Sequence, residues 1–243
     1  MRFDNEVVVI VGGGSGIGRA VAAMAAKAGA EVVVSSRSQD KLNDTIAEIG
    51  AGIALPVDMT DQWSVEGWAE ALPAFDHLVT SASSAAHGPF ATADEAAIRA
   101  MFDTKFFGPY AVAKAALPKL RKGGSITFFS GVLSRRPGAN CTGLGAVNGA
   151  VEALARGLAL ELGPDLRVNC MSPGMVRSDA YAGIDPDKRE AMYQATGESL
   201  PIGRVGKVDE IAEATLFLMR NGYTTGVVLD SDGGHMVRQY ATR

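Results

Sequence analysis

The chain has 243 residues, 47% hydrophobic and 21% charged, which suits one large domain with a sizeable core. A net charge of -4, without a block of basic residues, argues against nucleic acid or an anionic membrane as a partner. No apolar run could cross a bilayer, no signal-peptide pattern is visible, and Cys141 and Cys170 cannot build a disulfide framework, so we expect a cytoplasmic protein.

Seven short, mostly apolar segments are typical of strands covered on both faces, as in a parallel sheet. They are residues 6–11, 31–35, 53–57, 77–81, 125–130, 167–171 and 227–230. Segments with helical periodicity lie between them, at residues 17–28, 40–49, 62–71, 95–120, 145–162 and 208–219. The alternation predicts an α/β, single-domain Rossmann fold over residues 1–243: a seven-stranded, parallel, doubly wound sheet with helices on both faces.

One long connection, residues 172–207, interrupts this alternation. It is rich in proline and glycine and shows no strand pattern. Long connections in compact domains usually carry function. We therefore predict a substrate lid at about residues 175–207.

A glycine-rich turn follows the first predicted strand and precedes the first helix. Its residues are Gly12, Gly13, Gly14, Ser15, Gly16, Ile17 and Gly18. Gly12 permits a tight turn, Gly16 lets the backbone approach a pyrophosphate, and Gly18 lets the helix pack close to the sheet. The strand before and the helix after favour a dinucleotide site over a merely flexible loop.

The end of the second strand indicates which dinucleotide binds. An NAD site usually has a ribose-binding carboxylate here, but the chain has Ser35, Ser36 and Arg37. Arg37 and Ser36 can bond a 2′-phosphate, which a carboxylate would repel. We predict NADP(H) as the cofactor; the alternative is that Arg37 is only a solvated loop charge.

The glycine motif, with further segments in register along the chain, resembles the short-chain dehydrogenase/reductase family. Those segments are Asp58-Met59, Arg167-Val168-Asn169, Ser172-Pro173-Gly174-Met175-Val176, Pro201-Ile202-Gly203-Arg204, Thr225-Gly226 and Asp232-Gly233-Gly234. The resemblance implies seven parallel strands between two helical layers and a homo-oligomer, dimer or tetramer, formed through faces such as the 145–162 helix. Beyond the glycine loop, Ser36 and Arg37, it implies these cofactor-binding residues: Asp58, Met59, Ser81, Ala82, Ser83, Pro173, Gly174, Val176 and Ser178. The alternative for Asp58 is a helix cap.

The same resemblance exposes a departure at the family's four catalytic positions, which usually hold Asn, Ser, Tyr and Lys. Here they hold, in that order, Lys105, Gly131, Leu144 and Asn148. No shifted alignment restores them, because residues 111–180 contain no tyrosine and residues 123–187 no lysine. Leucine cannot donate a proton, and neutral asparagine cannot lower a neighbour's pKa as an ammonium does. The family's usual mechanism is therefore predicted to be absent.

Three classes of function remain open. The first is an oxidoreductase acting on an unknown small carbonyl or alcohol with a rebuilt site, using Lys105, Ser130 and His87. The second is an inactive NADP(H)-binding protein, a sensor or oligomer partner, and the third is a non-redox enzyme using the same pocket. Lys105 could instead be a solvated helix lysine and His87 a surface histidine. Cys141 is expected to be a small buried residue, and no metal site is predicted.

Overall fold

The computed structural model describes residues 2–82 and 84–237. Within these, the strands are β1 (Val7–Val11), β2 (Glu31–Ser35), β3 (Ile53–Ala54), β4 (Phe75–Thr80), β5 (Leu120–Phe129), β6 (Arg167–Pro173), β7 (Val176–Arg177), β8 (Gly206–Lys207) and β9 (Val228–Ser231). Seven of them form one parallel sheet in the order β3-β2-β1-β4-β5-β6-β9. The predicted seven-stranded Rossmann fold is confirmed.

Helices cover both faces of this sheet. They are α1 (Gly16–Lys27), α2 (Gln39–Ile49), α3 (Gln62–Ala71), α4 (Glu95–Phe102), α5 (Gly108–Ala116), α6 (Thr142–Leu162), α7 (Pro186–Ser199) and α8 (Val208–Arg220). Alternate residues of β1 enter two separate cores: Val9 packs with Trp68 and Phe128, whereas Ile10 packs with Leu42 and Met219. Since successive strand residues point to opposite faces, each core lies under one helical layer.

The prediction of one continuous helix over residues 95–120 is wrong. A π-helical turn, Asp103–Phe107, separates α4 from α5, and the N–H of Gly108 donates to the carbonyl of Asp103, five residues back. Pro109 follows at the start of α5 and has no N–H to give to the carbonyl of Lys105. A short 3-10 turn then ends the segment, and β5 begins at Leu120.

The prediction that residues 172–207 contain no strand is also wrong. β7 and β8 pair in parallel as a separate two-stranded sheet, with Val176 opposite Gly206, and α7 lies between them. Two-residue strands are too short to produce the alternation by which strands are recognised. In the part of the chain that the structure describes, no helix is long and apolar enough to cross a membrane.

Candidate nucleotide and active site

A cleft of about 680 Å³ opens at the carboxyl ends of β1 and β4, where the strand order reverses direction. Ligands of doubly wound sheets bind at this kind of switch point. Predicted cofactor residues that line it are Gly12, Gly14, Ser15, Gly16, Ile17, Gly18, Ser36, Arg37, Asp58, Met59, Ser81, Ala82 and Ser178. The fold therefore brings predicted residues from five separate chain segments to one cleft.

Two glycines of the loop, Gly12 and Gly18, have no room for a side chain. Gly12 has a φ of +95°, and a Cβ placed on it would lie 2.5 Å from the N atom of Ala82. A Cβ on Gly18 would lie 2.2 Å from the carbonyl oxygen of Gly12. Both contacts are to backbone, so neither can be relieved by a side chain turning away. The glycines are required by a close turn, which removes the alternative of a merely flexible loop.

Two cations stand at the cleft rim after β2. Arg37 is exposed there, and Lys41, which the sequence analysis missed, lines the same rim from the first turn of α2. A Cβ on Gly14 would lie 3.0 Å from Ser36 Oγ and 3.1 Å from Lys41 Cβ, so both side chains border the glycine loop. The signal available for Lys41 was its place four residues after Arg37, in the first turn of the next helix.

Asp58 belongs to this rim and does not cap a helix. The hydroxyl and N–H of Thr60 donate to its carboxylate and hold the pKa of Asp58 below its usual range, with a smaller contribution from Arg37. The N-cap of α3 is Asp61. The capping alternative for Asp58 is therefore wrong.

Three predicted cofactor residues do not line the cleft, and a fourth lies outside the described residues. Pro173 ends β6, Gly174 packs against Asp232, and Val176 is buried in the core. Ser83 lies outside the described residues. Their assignment to the cofactor stays a prediction.

Two catalytic positions meet where β5 ends. The amide Nδ2 of Asn148 donates to the carbonyl of Gly131 at 3.3 Å, and a Cβ on Gly131 would lie 3.1 Å from the same nitrogen. Asn148 thus occupies space beside the backbone that a side chain at position 131 would need. Its Oδ1 is buried, and no donor reaches it within the described ranges. Leu144, half-buried, precedes it by one turn of α6.

Lys105 projects into the protein from the π-helical turn. Its side chain is buried, and Nζ donates to the carbonyl of Ser130 at 3.1 Å, next to the carbonyl that Asn148 holds. Burial lowers the pKa of Lys105 to about 8, and the nearby Cys170 thiol opposes this slightly. The alternative of a solvated helix lysine is wrong.

The hydroxyl of Ser130 takes part in a hydrogen-bond network within the protein. It donates to Glu152 of α6 at 3.1 Å, and Ser134 donates to the same carboxylate oxygen at 2.5 Å. Arg135 lies 3.7 Å from Glu152 and also pairs with Asp230. Glu152 was missed because a carboxylate in a helix is usually a surface residue. The predicted hydrogen bond from Ser130 to a substrate is not supported by this internal network.

The structure also brings His87 and Cys141 together. His87 is exposed, as its surface alternative expected, but its Nδ1 lies 3.4 Å from Cys141 Sγ. Cys141 is partly exposed, so the expectation of a buried residue is wrong. The two are 54 residues apart, which is why no sequence neighbourhood indicated the pair.

Comparisons with known proteins cover nearly the whole chain. A family model described as enoyl-(acyl carrier protein) reductase matches residues 12–236. A short-chain dehydrogenase/reductase from Acremonium sp is 32% identical over 260 residues, covering 97% of this chain and 97% of the relative. The chain belongs to the short-chain dehydrogenase/reductase family.

Two further comparisons place this short-chain dehydrogenase/reductase among its relatives. The D-erythrulose reductase of Gallus gallus is 31% identical and aligns over 98% of both chains. The crystal structure of a small-chain dehydrogenase in complex with NADPH is 40% identical, with a TM-score of 0.85, over 95% of this chain and 98% of that chain.

The buried Lys105 should make the stability of this short-chain dehydrogenase/reductase depend on pH. Its folded-state pKa of about 8 lies below the ordinary 10.5, so between these values the unfolded chain binds more protons than the folded one. The free energy of unfolding therefore rises with pH across this window, by roughly 3 kcal/mol at 1.36 kcal/mol per pKa unit. Lys105→Met should abolish that rise in urea titrations at pH 7 and pH 10. The exposed Lys114→Met should keep it, and equal pH dependence in both variants would contradict the assignment.

Proposed function

We propose that this protein is an NADP(H)-dependent oxidoreductase that acts on a small carbonyl or alcohol compound with a non-standard site. The observation that carries the proposal is the cleft itself. Its glycine loop lines the cleft at the N-terminus of α1, the end of a helix that favours an anion, and Arg37 and Lys41 stand where an NAD-specific site would have a carboxylate. The solved relative that contains NADPH supports the same choice of nucleotide.

The residues that line the cleft fit the phosphate groups of the nucleotide, and Asn148, outside that lining, fits a ribose hydroxyl. The first turn of α1, from Gly16, would hold the pyrophosphate, and Arg37 with Lys41 would hold the 2′-phosphate. Asn148 Oδ1, buried and with no donor from the described residues, would accept a hydrogen bond from a ribose hydroxyl. When bound, NADP(H) supplies or accepts the hydride.

Proton transfer has to differ from the usual family pattern. Leu144 has no proton to give, and Asn148 holds a backbone carbonyl. Lys105 is a buried cation at the end of β5, where its Nζ donates a hydrogen bond to the carbonyl of Ser130. It would stabilise negative charge that develops on a carbonyl oxygen above Gly131, since a charge in a buried setting acts more strongly than one in water.

A second candidate is an NADP(H)-binding protein without turnover. The observation that favours it is the replacement of all four catalytic identities while the cleft keeps its glycine loop. A screen of aldehydes and ketones, following NADPH oxidation by the pure protein, separates the two. Turnover that falls in Lys105→Met and persists in Lys114→Met supports the oxidoreductase; tight NADPH binding without turnover of any compound supports the binder.

Exposed apolar side chains support a homo-oligomer. Leu160 on α6 is 87% exposed, and Phe107 and Tyr110 are exposed at the start of α5. Apolar side chains left to water on neighbouring helices are typical of surfaces covered by a partner. We propose that a second copy of this chain covers them.

Asp179 should compete with the nucleotide. Its carboxylate accepts a hydrogen bond from the N–H of Gly16 at 3.1 Å, at the helix end assigned to the pyrophosphate. A hydrogen bond of this kind contributes about 0.5–1.5 kcal/mol, so Asp179→Ala should bind NADPH roughly two to ten times more tightly. Calorimetric titration measures this. Asp187→Ala removes an exposed carboxylate of α7 as the control, and equal affinities in the two variants would count against competition.

A further inference from the structure

Cys141 and His87 are held together by the backbone as well as by their side chains. Cys141 is the N-cap residue of α6, and His87 lies in the loop after β4. The N–H of Gly88 donates to the carbonyl of Asn140 at 2.9 Å, so the two loops are joined next to the pair. Cys141 Sγ and His87 Nδ1 are 3.4 Å apart, within hydrogen-bond range for sulfur.

The pair lies beside the catalytic positions. Leu144 and Asn148 are four residues apart and share one face of α6, and Cys141 caps the same helix three residues before Leu144. Cys141 is partly exposed and His87 is exposed, so both are accessible to a small reagent. Tyr181, from the segment between β7 and α7, is near enough for the thiol to contribute to raising the pKa of Tyr181, after burial and Tyr193.

The surroundings of the pair suit Cys141 as a nucleophile and His87 as its base. Burial raises the pKa of the Cys141 thiol, so the sulfur keeps its proton at rest. Nucleophilic attack then needs a base within hydrogen-bond reach, because the thiolate is the reactive form. His87 Nδ1 is in that place, and the N-terminus of a long helix favours the negative charge that forms on sulfur.

We propose that Cys141 and His87 form a nucleophilic site that adds covalently to α,β-unsaturated aldehydes and ketones. The thiol proton passes to His87 Nδ1 as Sγ forms a bond to the β-carbon of the conjugated double bond. The electron pair of that double bond moves onto the carbonyl oxygen as an enolate. His87 then returns the proton to the α-carbon, which leaves a saturated thioether and a neutral imidazole. The addition consumes no oxidant, reductant or nucleotide.

The chain contains its own control for this reaction. Cys170 is fully buried, and burial is the main cause that raises its pKa to about 11, so it should not react while the protein is folded. Peptide mapping by mass spectrometry after exposure to 2-cyclohexen-1-one, without nucleotide, reports the two cysteines separately. Because no nucleotide is present, the result is independent of the proposed oxidoreductase function.

Cys141 should be alkylated at least about tenfold faster than the thiol of free glutathione at neutral pH, since a positioned general base commonly contributes a hundredfold or more. His87→Gln, an exchange at an exposed position, should lower the rate to that of glutathione or below. Circular dichroism and an unreacted Cys170 confirm that this variant is folded. A natural protein that reacts no faster than glutathione, or a rate that His87→Gln leaves unchanged, would overturn the proposal.

Discussion

A variant that carries the whole family set, Lys105→Asn, Gly131→Ser, Leu144→Tyr and Asn148→Lys, should reduce simple ketones with NADPH at least about a hundredfold faster than the natural chain. Loss of a general acid commonly costs a hundred to ten thousandfold, and the natural chain has a leucine at that position. Initial rates of NADPH oxidation with cyclohexanone measure the difference. Brisk reduction by the natural protein would show that another group already donates the proton.

The partial variants are the controls, because the four positions are coupled. Leu144→Tyr alone should gain little, since Asn148 offers no ammonium to lower the pKa of the new tyrosine. A side chain at position 131 would press on Asn148 Nδ2, 3.1 Å from the added Cβ. A lysine at position 148 would lie beside Lys105, because the residues now there bond the adjacent carbonyls of Ser130 and Gly131. A variant with Gly131→Ser, Leu144→Tyr and Asn148→Lys that retains Lys105 should therefore gain less ketone-reducing activity than the fourfold variant, because the two lysines repel each other.

Arg37→Asp should reverse the preference for NADPH over NADH. Arg37 stands at the cleft rim, where a charge-assisted hydrogen bond to a phosphate contributes about 1.5–3 kcal/mol. The natural chain should therefore prefer NADPH by tens-fold or more. In the variant, the carboxylate repels the 2′-phosphate and accepts hydrogen bonds from the ribose hydroxyls of NADH. Calorimetric titration with both nucleotides gives the two affinities directly.

The matched control for this change is Arg2→Asp. It makes the same charge exchange at an exposed residue that pairs with Asp4 and does not line the cleft. It should leave the ratio of the two affinities unaltered. A ratio near one in the natural chain, with no response to Arg37→Asp, would remove the argument for NADP(H) selectivity.

The fold was predictable where a strand or helix is long enough for its own sequence to show a clear hydrophobic pattern. Strands such as Val7–Val11 are continuous apolar runs, and their alternation with amphipathic helices determines a doubly wound sheet. The errors fall where the signal is short or three-dimensional. β7 and β8 have two residues each, and the π-helical turn at Asp103–Phe107 is formed by residues that suit an ordinary helix.

The residues of the candidate site also fall into two groups, those that a short segment of sequence indicates and those that it does not. The glycine loop and Arg37 were found because a strand end and a helix start fix them within one short segment. Glu152, Asp179 and the contact of His87 with Cys141 were missed because each depends on a distant partner. Glu152, for example, is buried only because two serines and an arginine from the segment after β5 surround it. The position of Glu152 in the sequence of α6 does not indicate these partners.

The π-helical turn makes the chain sensitive to length at one point. Such a turn holds one residue more than an α-helical turn, and each residue of a helix advances the direction of the next by about 100°. Thr104 faces the nucleotide cleft and Lys105 faces the core in this arrangement. Deleting one residue between Asp103 and Phe107 would remove the π-helical turn and rotate the side chains on one side of the deletion by that angle. During divergence of this sequence, a gap here would disturb the cleft and the buried cation together, whereas substitutions can alter them one at a time.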